Sequence, residues 1–134
     1  MRLVLDTNVV MSAIFFGGDP KIIIRAAIAR KVDLVATQAL VNEYHEIAER
    51  LHEHYPTVSY RRPLAIFESL LKIVRPATLN GNVCRDPDDD ALIACALGGK
   101  AKVICSGDED LLVLNGYRGL EIMKPHEFKL RFLR

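Results

Sequence analysis

Short apolar runs recur along this chain, each about the length of one buried strand, and they are separated by stretches with helical patterning. Leu3 to Leu5, Asp33 to Ala36, Lys102 to Cys105 (KVIC) and Leu120 to Met123 (LEIM) are such runs. Brief apolar segments bounded by turn signals read as strands of a sheet covered on both faces. Parallel neighbours in such a sheet need long crossovers, usually helical, and the intervening segments supply them. The chain is therefore expected to be α/β, with a mostly parallel central sheet of about five strands.

The helical segments carry their own start and stop signals. After Gly17 and Gly18, Asp19-Pro20 offers an N-cap and a first-turn proline, and IIIRAAIARK continues as a helix despite its β-branched triplet. Thr37 is placed to cap TQALVNEYHEIAERL, and Pro63 opens LAIFESLLKIV, after a loop spanning residues 52 to 63. Residues 75 to 85 (RPATLNGNVCR) form a connection with room for one extended stretch. Asp88 to Asp90 then cap ALIACAL, which stops at Gly98-Gly99. SGDEDLL reads as a loop and a short helix, and Pro125 opens a last helix, PHEFKLRFL. No repeat or linker divides the chain, so residues 1–134 are expected to form one domain.

Bulk properties exclude several classes. With 50% hydrophobic and 26% charged residues and no low-complexity tract, the chain is a folded globular protein. Cys84, Cys95 and Cys105 are odd in number and lack CxxC spacing, which argues against a disulfide framework or a zinc site and for a reduced cytoplasm. The start MRLVLDTNVV does not read as a signal peptide, and no apolar stretch reaches membrane-spanning length, so no membrane association is expected. His45, His52, His54 and His126 show no paired-ligand spacing. A net charge of +1 is silent about nucleic acid, although acids can gather in a cleft while bases lie elsewhere.

The acids are the informative residues. CRDPDDDALIACAL puts four aspartates in five positions against the mouth of an apolar helix. Asp6 follows the first strand and Asp108 follows KVIC, so a parallel sheet brings both to its C-terminal edge, where ligands of such sheets bind. In the Thr37 helix, Leu40, Tyr44, Ile47 and Leu51 form the apolar stripe. Glu43 sits at its border, while Glu46, Glu49 and Glu53 point away. A helix N-terminus stabilises nearby carboxylates by only about 1 kcal/mol, too little to offset a convergence of four or five acids. A hard divalent cation such as Mg²⁺ or Mn²⁺ is sufficient, and Asp6, Glu43, Asp89 or Asp90, and Asp108 would make its acidic cup. Each motif alone has an ordinary reading: DTN as a turn, Glu43 as a half-exposed helix residue, the aspartate run as a cap.

Taken together, LDTNVVMSAI, Glu43, RDPDDDALIACAL and VICSGDEDLL resemble, in order and across nearly the whole chain, the PIN-domain ribonucleases, in particular the PIN-type toxins of toxin–antitoxin pairs. The resemblance implies a Rossmann-like three-layer α/β/α fold, a homodimer, and a small antitoxin protein whose tail covers the acidic cleft. It also implies that Asp6, Glu43, Asp90 and Asp108 ligate one or two Mg²⁺ or Mn²⁺ ions that activate water for attack on an RNA phosphodiester. Asn8 and Ser106 would orient ligands or water, Ser106 standing where the family usually has threonine. Alignment on DALIA selects Asp90 as the third acid, with Asp89 kept as the second choice. A catalytically inactive PIN-like binding module is the alternative. A phosphohydrolase with Asp6 as nucleophile is disfavoured because Asn8 stands where that pattern wants a second aspartate. Dinucleotide binding is disfavoured because no GxGxxG follows the first strand.

Overall fold

The computed structural model describes residues 1–81, 83 and 86–133. Its centre is a five-stranded, wholly parallel sheet of β1 (Arg2–Leu5), β2 (Asp33–Ala36), β3 (Leu71–Ile73), β4 (Val103–Cys105) and β5 (Glu121–Met123), in the order β3-β2-β1-β4-β5. The inner strands are buried along nearly their whole length, as the continuous apolar runs require for a sheet covered on both faces.

Helices make the crossovers: α1 (Thr7–Phe15), α2 (Gly18–Ile28), α3 (Gln38–His54), α4 (Arg61–Ser69), α5 (Pro87–Gly98), α6 (Glu109–Leu112) and α7 (Pro125–Phe132). A one-turn 3-10 helix, Tyr117–Gly119, precedes β5. From β1 the chain steps outward twice, to β2 and β3, then returns past β1 to β4. The right-handed rule for parallel crossovers therefore puts α5 and α6 on the face opposite α1 to α4. The reversal makes the gap between β1 and β4 the topological switch point, which is where open α/β sheets bind ligands.

Two expectations change. The sequence from Thr7 reads as a turn, yet it starts α1, whose Val9, Val10, Met11, Ala13 and Phe15 are buried. Burial of that face overrides the weak helix propensity of its β-branched and aromatic residues. LAIFESLLKIV is expected as one helix, but α4 ends at Ser69 and Leu71–Ile73 pairs with the free edge of β2, with the Val74 N–H donating to Ala36 O at 2.9 Å. An extended stretch thus lies at Leu71–Ile73, before residues 75 to 85. Cys84 and Arg85 fall outside the described residues.

α5 is apolar nearly all round, and Leu92, Ile93, Ala94, Cys95 and Ala96 are buried as it lies on β1, β2 and β4. Its C-terminal end passes so close to the preceding connection that a Cβ on Gly98 would stand 1.9 Å from Arg75 O and 2.8 Å from Ala77 N, whereas a Cβ on Gly107 would meet nothing within 4 Å. Gly98→Ala should therefore push the connection off the helix and lose on the order of 1–3 kcal/mol of stability in urea denaturation. Gly107→Ala should change it by less than about 0.5 kcal/mol. Equal effects of the two substitutions would contradict this packing.

Candidate active site

Five helices begin at the C-terminal edge of the sheet: α7, whose N-cap is Lys124, and four whose N-caps are Asp6 (α1), Thr37 (α3), Asp86 (α5) and Asp108 (α6). Each brings unsatisfied N–H groups and a partial positive charge to the same rim. Thr37 accepts from the Leu40 N–H at 3.2 Å, as its position in the sequence suggests. The capping aspartate of α5 is Asp86, whose Oδ1 accepts from the Asp88 N–H at 2.9 Å; Asp88, Asp89 and Asp90 lie in the first turn instead.

Asp6 makes no side-chain cap and turns its carboxylate to the switch point. Its main-chain N–H extends the β1–β4 ladder to Cys105 O at 2.9 Å, and its Oδ2 accepts from the fully buried Ser106 hydroxyl at 2.7 Å. The same Ser106 oxygen accepts from the Asp108 N–H at 3.0 Å, so one hydroxyl fixes both strand-end acids. Asp108 Oδ1 accepts from the Asp110 N–H at 3.0 Å. Burial raises the Asp6 pKa, hydrogen bonds from Ser106 and the Thr7 backbone oppose the rise, and the Asp108 charge adds to it.

Glu43 reaches the site from α3. That helix is anchored by the buried Tyr44 hydroxyl, which donates to Leu5 O at 2.6 Å, and by edge-on contact of Tyr44 with Phe67. The Thr7 hydroxyl donates to Glu43 Oε2. Asp6, Thr7, Asn8, Glu43, Asp86, Asp88, Asp89 and Asp108 line an open depression of about 170 Å³ floored by Ile47 and Leu92.

The structure separates the two candidates for the third acid. Asp89 is 5% exposed and lines the depression, and its Oδ2 is buried with no hydrogen-bond partner. Asp90 does not line it, and its Oδ1 accepts from the Val83 N–H at 3.1 Å. On this geometry it is Asp89, the second choice, that faces the cleft, one residue before the preferred Asp90. Burial, followed by the charges of Asp108, Asp86, Asp6 and Asp110, lifts the Asp89 pKa to about 6.

Among the described residues the donors in the depression are carboxylates, a hydroxyl and an amide, with no imidazole or thiol. Such a set suits a hard cation rather than zinc or copper. The described cysteines lie elsewhere as buried thiols, with Cys105 pushed up to about 12 by burial. Among the described residues no three His, Cys, Asp or Glu side chains stand close enough to share one ion in this arrangement. The fit to a cation therefore rests on the donor chemistry and on the orphaned Asp89 oxygen. Thr7, Asp86 and Asp88 are site residues that the sequence reading passed over. Thr7 was within reach, since it lies between Asp6 and Asn8, but its role depends on α1 starting there.

A sequence model of the PIN domain matches residues 2–110, and the chain belongs to the PIN domain family. Members of this family are typically metal-dependent nucleases. The uncharacterized protein MJ1680 of Methanocaldococcus jannaschii is 31% identical over 118 residues, which cover 85% of this chain and 75% of that protein.

The raised pKa of Asp89 has a definite consequence for stability. Between its unfolded value of 3.8 and its folded value of about 6, the native state holds more of this proton than the unfolded state does. Ion-free protein therefore gains stability from this group as pH falls through 6 toward 4, and is penalised above 6. Asp89→Asn should be more stable than the parent at pH 8, by on the order of 2–3 kcal/mol, and the gap should close near pH 4. Denaturation of chelator-treated protein across that range checks it, and a difference independent of pH would contradict the assignment.

Proposed function

We propose that this protein is a divalent-metal-dependent endoribonuclease and the toxin of a toxin–antitoxin pair. The observation that carries the nuclease reading is the buried, unpartnered Asp89 Oδ2 in a depression shared with Asp6, Glu43 and Asp108. Such an oxygen is costly to leave ionised and unpaired, and a cation removes that cost.

Asp6, Glu43, Asp89 and Asp108 would hold the ion, Mg²⁺ or Mn²⁺. When bound, it supplies an activated water and neutralises charge on the phosphodiester under attack. The chain's own groups do the positioning. Ser106 holds the Asp6 carboxylate and the Asp108 backbone at a fixed separation, and Thr7 holds Glu43 toward the same depression. Asn8, exposed at the lip, has a side-chain amide to offer a phosphate oxygen or a water. The helix N-termini at the rim favour an anionic substrate there.

RNA as the polymer, the toxin role, the antitoxin and a homodimer follow from the family resemblance. A protein partner is further supported by an apolar groove between α2 and α4, lined by Ile24, Ile28, Pro63 and Ile66 and edged by Lys21 and Arg25. Exposed Ile28 and Ile66 there would be covered by an apolar segment carrying acidic residues.

Incubation with RNA at fixed salt tests the reading. Cleavage should require Mg²⁺ or Mn²⁺ and stop with chelator. It should fall on the order of 100-fold or more in Asp6→Asn and Asp89→Asn, and Asp90→Asn should stay close to the parent. Metal-independent cleavage, or an unaffected Asp89→Asn, would sink the proposal; RNA binding with no cleavage under any divalent ion would favour the inactive module.

A further inference from the structure

The acidic depression occupies one edge of the sheet, and the opposite, N-terminal edge has the opposite character. A groove of about 500 Å³ there is lined by Arg2, Arg30, Lys72 and Ser69, with Asp33 as the one acid among its described lining residues. The cations continue beyond it. Arg2 donates to Gly99 O at 2.9 Å, next to Lys100, and the Lys102 N–H donates to Arg2 O at 3.0 Å. Lys72 belongs to β3, Arg30 and Lys31 precede β2, Arg2 opens β1, and Lys102 precedes β4. Neighbouring strands lie about 4.8 Å apart, so the order β3-β2-β1-β4 sets these charges in a row across four strands.

Arg30, Lys31, Lys72, Lys100 and Lys102 are all exposed, and none makes an ion pair among the described residues. Favourable interaction with helix C-termini accounts for Arg30 after α2 and Lys100 after α5. It does not account for Lys72 and Lys102, which lie on or beside strands. Arg30 and Lys100 also hold left-handed backbone, at φ 62° and 54°, a conformation glycine adopts without strain.

We propose that this basic edge binds the phosphate backbone of the RNA at a distance from the cut, with Arg30, Lys72, Lys100 and Lys102 as its principal contacts. The proposal rests on the ribonuclease reading. None of the described residues lining the acidic depression is cationic, so the cleft by itself repels a polyanion until an ion is bound. The opposite edge supplies the missing attraction. None of the described residues lining the groove is aromatic, so no base-stacking platform is offered there and contacts read charge and not sequence.

The test uses Asp6→Asn as background, with chelator present, so that binding is read without cleavage. The probe is a fluorescein-labelled single-stranded RNA of about 20 nucleotides, titrated over a range of salt concentrations. The edge variant combines Arg30→Gly, Lys100→Gly, Lys72→Gln and Lys102→Gln; glycine suits the first two backbones, so folding is preserved. A control of equal charge change carries Lys21→Gln, Arg25→Gln, Arg61→Gln and Arg62→Gln on α2 and α4. The edge variant should bind at least about tenfold more weakly and lose about 3 from the magnitude of the slope of log K against log salt. The control should keep most of the affinity. No binding by the background protein, an unchanged slope in the edge variant, or an equal loss in the control would overturn the proposal. Metal-dependent cleavage by the parent protein judges the nuclease reading separately.

Discussion

One hydroxyl joins the two halves of this site. Ser106 and Asp6 are 100 residues apart in the chain, and they meet because β1 and β4 pair in parallel at the one place where the strand order reverses. The Ser106 oxygen donates to Asp6 and accepts from the Asp108 N–H, so the strand pairing becomes a fixed relation between two carboxylates. Glu43 is then brought in by α3, which Tyr44 ties to the last residue of β1, and Asp89 by α5, which lies across β1, β2 and β4. Loss of the β1–β4 register would scatter all four acids at once.

The aspartates in this neighbourhood divide their roles by what their oxygens touch. Asp86 and Asp108 each commit an oxygen to capping a helix, which stabilises the fold by on the order of 1 kcal/mol per cap. Asp6 leaves its helix uncapped and is held by Ser106, while Asp89 is buried with an oxygen unanswered. The last two weaken the ion-free fold at neutral pH, because burial raises both of their pKa values. Strain of this kind at a cleft is consistent with the proposed cation-binding function. The depression at the C-terminal edge of the sheet is lined by acids and the groove at the other edge mainly by cations, a contrast that a net charge of +1 conceals.

Most of the fold was legible because its signals are local. Apolar runs bounded by turn residues gave β1, β2, β4 and β5, and Thr37, Pro125 and Gly98-Gly99 marked helix ends where the structure has them. β3 and α1 were not legible, for one reason. Leu71–Ile73 becomes a strand because β2 offers an open edge, and Thr7–Phe15 becomes a helix because the core covers it; both depend on neighbours remote in sequence. The gathering of Asp6, Glu43 and Asp108 at one rim could be argued from topology. The choice between Asp89 and Asp90 could not, since neighbouring residues on a helix differ by about 100° in direction and the helix's rotation on the sheet is a matter of packing.

Asp89 is proposed to complete a cation site with Asp6, Glu43 and Asp108. Calorimetric titration of Mn²⁺ into chelator-stripped protein at pH 7.5 tests it most directly, using the parent, Asp89→Asn and Asp90→Asn. Saturable binding by the parent is expected, with affinity lowered at least about tenfold in Asp89→Asn and near the parent's in Asp90→Asn. No Mn²⁺ binding by the parent, or loss in Asp90→Asn with retention in Asp89→Asn, would contradict it.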